Sequence, residues 1–124
     1  MPNDTFITTS GLEISVTHGQ EGALVHLNGR VNIDSSPGLR DRLLAMLQGE
    51  HPEAVTIDLS EVPYIDLSGI ATLIEALKVA RNRETTLHLA GLQERLLHVL
   101  EVTGVLSLFE ASGHASPPSA SGAV

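Results

Sequence analysis

Between Leu12 and Phe109 the spacing of apolar residues changes period repeatedly, and this switching restricts the chain to alternating strands and helices. Leu12, Ile14 and Val16, and then Ala23, Val25 and Leu27, recur at every second position, with Glu13, Ser15, His26 and Asn28 as polar partners. They predict two strands joined near Gly19 to Gly22. Ser36 followed by Pro37 has the form of an N-cap and first helical residue, and Leu39, Leu43 and Leu47 then recur every fourth position up to Gly49. A third strand, Ala54 to Leu59, sets Val55, Ile57 and Leu59 against Thr56 and Asp58, then turns at Ser60 to Pro63 into the short apolar piece Tyr64-Ile65. A second helix from about Ser68 to Asn82 has Ile70, Leu73, Ile74 and Leu77 on its buried face. Thr85 to Ala90 is the fourth strand. Leu92 to Thr103 is a third helix ended by Gly104, and Leu106 to Phe109 is expected as a short extended closing piece.

Strand, helix, strand units require parallel pairing through right-handed crossovers. Strands covered on both faces would be apolar throughout, whereas these keep one polar face. The expected architecture is therefore α/β, a mixed four- to five-stranded sheet with about three helices mainly on one face. At 124 residues the chain suits one domain. Residues 1 to 11 are expected to be a flexible lead, 12 to 110 the folded domain, and 111 to 124 (ASGHASPPSASGAV) a low-complexity tail with too little apolar surface to offset ordering entropy.

Composition removes several function classes. Seven Lys and Arg against fifteen Asp and Glu give a net charge of −8, which repels phosphate backbones and anionic membranes. The chain has one Tyr, two Phe and no Trp, too few for base-stacking platforms, so nucleic-acid binding is not expected. No cysteine is present, which excludes disulfides and thiolate chemistry. No apolar run approaches the ~20 residues of a membrane span, and a cytoplasmic location is expected.

The chemical motifs are sparse. The six histidines are scattered without ligand spacing, and phosphate loops and nucleophile elbows do not appear, so neither a metal nor a cofactor is expected. Asp58 and Asp66 form a carboxylate pair that could serve acid-base work together with Ser68. A polar strand face accounts for Asp58 and a helix start for Asp66, so a catalytic reading is the weaker one. Two serine segments precede helices. Capping accounts for Asp34-Ser35-Ser36-Pro37. Asp66-Leu67-Ser68-Gly69 lies at a strand's carboxyl end and a helix's amino end, where α/β proteins place sites and where an anion would meet N–H groups. Gly69 leaves that backbone open to close approach. Between Arg42 and Lys78 stand six acids, Glu50, Glu53, Asp58, Glu61, Asp66 and Glu75, and no Lys or Arg. They form either a solvated face or an acidic surface for a basic protein partner.

The string VTIDLSEVPYIDLSGIATLIEAL, residues 55 to 77, resembles the signature of the STAS domain, the fold of bacterial anti-sigma factor antagonists. GRVNIDSS at 29 to 36 and LHLAGLQERLLHVLEVTGVLSLFE at 87 to 110 resemble the flanking segments of that family. The resemblance implies a non-enzymatic regulator that binds an anti-sigma factor, commonly a serine kinase, through the start of helix two, and is released when a hydroxyl there is phosphorylated. The motif residues are Asp34, Asp58, Tyr64, Asp66, Leu67, Ser68 and Gly69. The usual acceptor position is Leu67, which has no hydroxyl. Ser68 is then either a helix cap, the preferred reading, or a substitute acceptor. A member that is not switched at its usual site follows. An alternative with the same fold is an accessory subunit of an ABC transporter or a scaffold piece in a stress-signalling assembly. The family's final helix is not expected here, because the chain turns low-complexity from Ala111.

Overall fold

The computed structural model describes residues 3–19, 22–50 and 52–111. Five strands form one sheet in the order β1 (Asn3–Ile7), β2 (Glu13–Gly19), β3 (Gly22–Asn28), β4 (Ala54–Glu61) and β5 (Thr86–Ala90). The first three pair antiparallel, while β3 to β4 and β4 to β5 are parallel. The mixed sheet expected from the sequence is therefore present, with α1 (Ser36–Ala45) and α2 (Leu67–Asn82) as the two crossovers. A π-helical turn, Met46–Glu50, continues α1. The chain then closes with α3 (Glu94–Val102) and α4 (Val105–Ala111).

Alternation sorts the faces. Ile14, Val16, Ala23, Val25, Leu27, Val55, Ile57, Leu59, Leu87 and Leu89 are buried and form one core with Leu39, Leu43, Leu73, Leu77, Leu96 and Leu100 of the helices. The other face keeps Ser15, His26, Thr56, Asp58 and His88, none of them buried. The helices thus cover one side.

Two expectations are corrected. The segment Asn3–Ile7, expected within a flexible lead, is an edge strand paired with β2 from Asn3↔Thr17 to Ile7↔Glu13. Only Phe6 and Ile7 are apolar there, so the order comes from the non-local ladder and from a turn in which Leu12 N donates to Thr8 Oγ1 at 3.0 Å. The closing piece is a helix, not an extended segment. Val105, Leu106 and Phe109 are buried at helical spacing, whereas Leu108 is exposed. From residue 112 the predicted tail lies outside the described residues.

Candidate functional site

The motif stands where β3 and β4 leave the sheet. Val31 and Ile65 form a parallel bridge beyond the strand ends, with Val31 N donating to Tyr64 O at 3.0 Å and Asp66 N to Val31 O at 3.1 Å. This short ladder holds the 29–36 loop against the approach to α2. The loop itself is shaped by polar side chains. Asn32 Oδ1 accepts from Asp34 N at 3.0 Å and Ser35 N at 3.1 Å, and Ser35 Oγ donates to Arg30 O at 2.8 Å. Ile33 is left at the apex, 71% exposed.

Asp66, not Ser68, caps α2. Its Oδ1 accepts Gly69 N at 3.1 Å and the Ser68 hydroxyl at 2.6 Å. The Ser68 hydroxyl is the main cause of an Asp66 pKa below the usual carboxylate range, and the N–H groups of Gly69, Ser68 and Ile33 reinforce it against desolvation. The carboxylate thus fills the place an external anion was expected to take. Ser68 Oγ also lies 3.2 Å from Ser36 Oγ. Because the Ser68 proton goes to Asp66, the Ser36 hydroxyl donates, and a relay runs from α1 through Ser68 to the cap. Ser36 is therefore not the cap of α1. The N-cap is Ser35, which makes no side-chain capping bond.

Gly69 is open to approach, but its own chain uses the space. A Cβ there would stand 2.6 Å from both Ile65 Cγ1 and Val31 Cγ1. Glycine lets α2 begin directly over the Val31–Ile65 bridge. Leu67, the first residue of α2, points away and is 76% exposed. Tyr64 is 49% exposed, with the Arg30 guanidinium 5.8 Å from its ring centroid. The two bridged loops thus carry three exposed apolar residues, Ile33, Tyr64 and Leu67, as an apolar knob at this end of the sheet, and Asp34, also exposed, follows Ile33 in the chain. Sequence reasoning missed Ile33 and Arg30. The available signal was an isolated apolar residue inside the polar turn Asn32-Ile33-Asp34.

The structure does not collect the six acids into one surface. Glu53 precedes β4 at the opposite end of the strand, and Asp58 lies on the open face. Glu75 on α2 is held by Arg40 of α1 through two 2.8 Å bonds. Glu50's side chain lies outside the described residues. Asp58 and Asp66 have separate partner sets. Asp58 Oδ2 is 3.0 Å from His26 Nδ1, and Asp58 Oδ1 accepts Ser60 N at 3.0 Å. Burial pushes the Asp58 carboxyl up, but Ser60 and His26 outweigh it and the pKa is lowered. Among the described residues no cluster suits a metal ion, and no helix is long and apolar enough to cross a membrane. A shallow depression of about 650 Å³, lined by Thr17, Leu24, Thr56 and His88, lies at the other end of β3 and β4 from the knob.

The sequence profile of the family described as "Mlab, STAS domain" matches residues 14–110. The chain belongs to the STAS domain family. A relative in Listeria monocytogenes named anti-sigma-B factor antagonist is 30% identical over 86 residues, 69% of this chain and 75% of its own. The fold is similar to that of a STAS domain protein from Planctomyces limnophilus, with a TM-score of 0.70 and 24% identity over 77% of this chain and 86% of that one. A sulfate transporter family protein from Wolinella succinogenes is similar at a TM-score of 0.62 and 26% identity, covering 74% of this chain and 73% of its own. Within the STAS signature read in the sequence, residues 55 to 77, the motif Asp66 to Gly69 builds the α2 entrance.

Proposed function

We propose that this STAS protein is a non-enzymatic regulator, similar in role to anti-sigma factor antagonists, which docks an anti-sigma factor through the start of α2. The observation that carries the reading is Leu67, a large apolar side chain 76% exposed at the first position of a helix whose cap and glycine are fixed by internal contacts. An isolated exposed leucine needs no explanation, but one grouped with Ile33 and Tyr64 forms an apolar patch of the kind that marks interfaces. Asp34 and Asp66 rim the knob, and Arg30 lies on Tyr64, so a partner with an apolar pocket and a basic rim fits it. Gly69 and Ser68 support the display from beneath. Asp58, on the open face, contributes through the β4 exit and makes no direct contact.

The partner type we favour is a serine kinase acting as anti-sigma factor, and the setting is cytoplasmic. Leu67 offers no hydroxyl at the expected acceptor position, and Ser68 is committed to Asp66 and Ser36, so docking is not switched by phosphorylation of this motif. Incubation with the cognate kinase and ATP tests that point, since stoichiometric phosphate on Ser68 would overturn it. Affinity capture from the native organism tests the docking site. The intact chain recovers an anti-sigma factor and Leu67→Glu does not, whereas equal recovery removes the α2 entrance as the contact. A second reading, a STAS subunit serving a transporter, draws on the 26% identity with the sulfate transporter family protein. Recovery of transporter components in place of an anti-sigma factor would favour it.

A further inference from the structure

His26 projects from β3 onto the face of the sheet that carries no helix, and both ring nitrogens meet carboxylates of β4. Nδ1 lies 3.0 Å from Asp58 Oδ2 and Nε2 lies 3.4 Å from Glu61 Oε1. A neutral imidazole has one N–H, so it donates to one of these and turns a lone pair toward the other. Only the imidazolium donates to both. The geometry therefore selects the protonated ring.

The position of Glu61 gives this selection a consequence. His26 pairs with Asp58 while Asn28 pairs with Glu61, so β4 holds one residue more than β3 across the interval. The imidazole spans this bulge. Immediately beyond it, Gly29 N donates to Glu61 O at 3.1 Å, and the Val31–Tyr64 and Asp66–Val31 bonds follow. These bonds fix the loops that carry Ile33, Tyr64 and Leu67. The Asp58 arm is held from its far side as well, since Ser60 N bonds its Oδ1 and Gln93 Nε2 donates to Ser60 O at 2.7 Å. Glu61, with its side chain 55% exposed, is the arm that can let go.

We propose that His26 is a pH-responsive clasp for the docking knob: the protonated ring closes the β4 bulge over Glu61, and the neutral ring releases Glu61 and loosens the two strand exits. The inference rests on the docking reading above and supplies a control for that same surface. The groups facing the ring are Ser15 opposite it on β2, with Glu13 one step along the same face, Asp58 and Glu61 on β4, and His88 on β5 beyond Thr56. The Asp58 hydrogen bond raises the His26 pKa most, burial opposes it, and Glu61 raises it further.

The single tyrosine and the absence of tryptophan make Tyr64 emission a direct reporter of the knob. The experiment follows the His26 ring protons by NMR and Tyr64 emission across about pH 5 to 9, around the ordinary histidine value of about 6.5. The clasp predicts that His26 titrates above that value and that Tyr64 emission inflects at the same pH. The inflection disappears in His26→Gln and in Glu61→Gln, and Asp58→Asn brings the ring's titration down. Titration of His26 at or below about 6.5, or an unchanged Tyr64 inflection in His26→Gln, overturns the proposal. Should a variant not fold, coincidence of the two titrations in the unaltered protein still decides. No partner is needed, so a coincident titration alongside equal partner capture by Leu67→Glu would retire the docking reading and not the clasp.

Discussion

Replacing Asp66 by alanine removes the acceptor on which the α2 entrance converges. The carboxylate takes the Gly69 N–H at 3.1 Å and the Ser68 hydroxyl at 2.6 Å at the start of a 16-residue helix. Loss of an N-cap side chain costs about 1 kcal/mol. Loss of a negative charge at the positive end of the helix dipole costs a further ~0.3–1 kcal/mol, and the Ser68 hydroxyl is left without its acceptor. The total is about 2 kcal/mol. For a domain of this size each kcal/mol moves the unfolding midpoint by roughly 5 °C, so Asp66→Ala should melt about 10 °C below the unaltered protein at neutral pH. Asp66→Asn keeps an acceptor, loses only the charge, and should fall by about 2 to 5 °C. Because the folded pKa of Asp66 is lowered, the charged form stabilises fully above the unfolded value of about 3.9, and the advantage is lost as pH falls through the folded value. The gap between the unaltered protein and Asp66→Asn therefore closes in acid. Thermal unfolding followed by circular dichroism measures all three. An Asp66→Ala midpoint within about 1 °C of the unaltered protein, or Asn as damaging as Ala, would refute the capping argument.

Gly69→Ala places a methyl 2.6 Å from Val31 Cγ1 and Ile65 Cγ1, and should cost about 1–3 kcal/mol by denaturant unfolding. Phe109→Ala empties a fully buried position and should cost about 3–5 kcal/mol, a loss that an extended, peripheral closing piece would not show. The raised His26 pKa means its contribution is complete below about pH 6.5 and fades as pH rises through the folded value. The melting difference between the unaltered protein and His26→Gln should therefore shrink toward alkaline pH, and a difference that grows there contradicts the assignment. Arg40→Ala and Glu75→Ala should couple in a double-mutant cycle at low salt and lose that coupling at high salt, as an exposed pair does.

The parallel core strands were legible because Val55, Ile57 and Leu59 alternate with polar residues, a pattern that packing against α2 then uses without change. β1 was not legible, since Asn3–Ile7 has little pattern of its own and owes its order to the β2 ladder ten or so residues away. The closing segment failed for a different reason. A short apolar run fits either period, and only the burial of Val105, Leu106 and Phe109 together selects the helix. At the site, Asp66, Leu67 and Gly69 could be placed from their motif, but the choice of cap could not. Ser68 is an excellent capping residue by type, yet Asp66 stands first in the chain and takes the extended backbone conformation a cap requires. Ile33 and Arg30 entered the knob through the Val31–Ile65 bridge, a contact between segments more than thirty residues apart that no local pattern announces.

The most direct test of the docking claim is a calorimetric titration of the cognate anti-sigma factor with the unaltered chain and with Leu67→Glu, alongside the melting temperature of each. Because Leu67 is exposed in the free protein, the substitution should leave the melting temperature nearly unchanged and weaken binding by tenfold or more, roughly the effect of losing one central apolar anchor. Equal affinities for the two proteins would contradict the account.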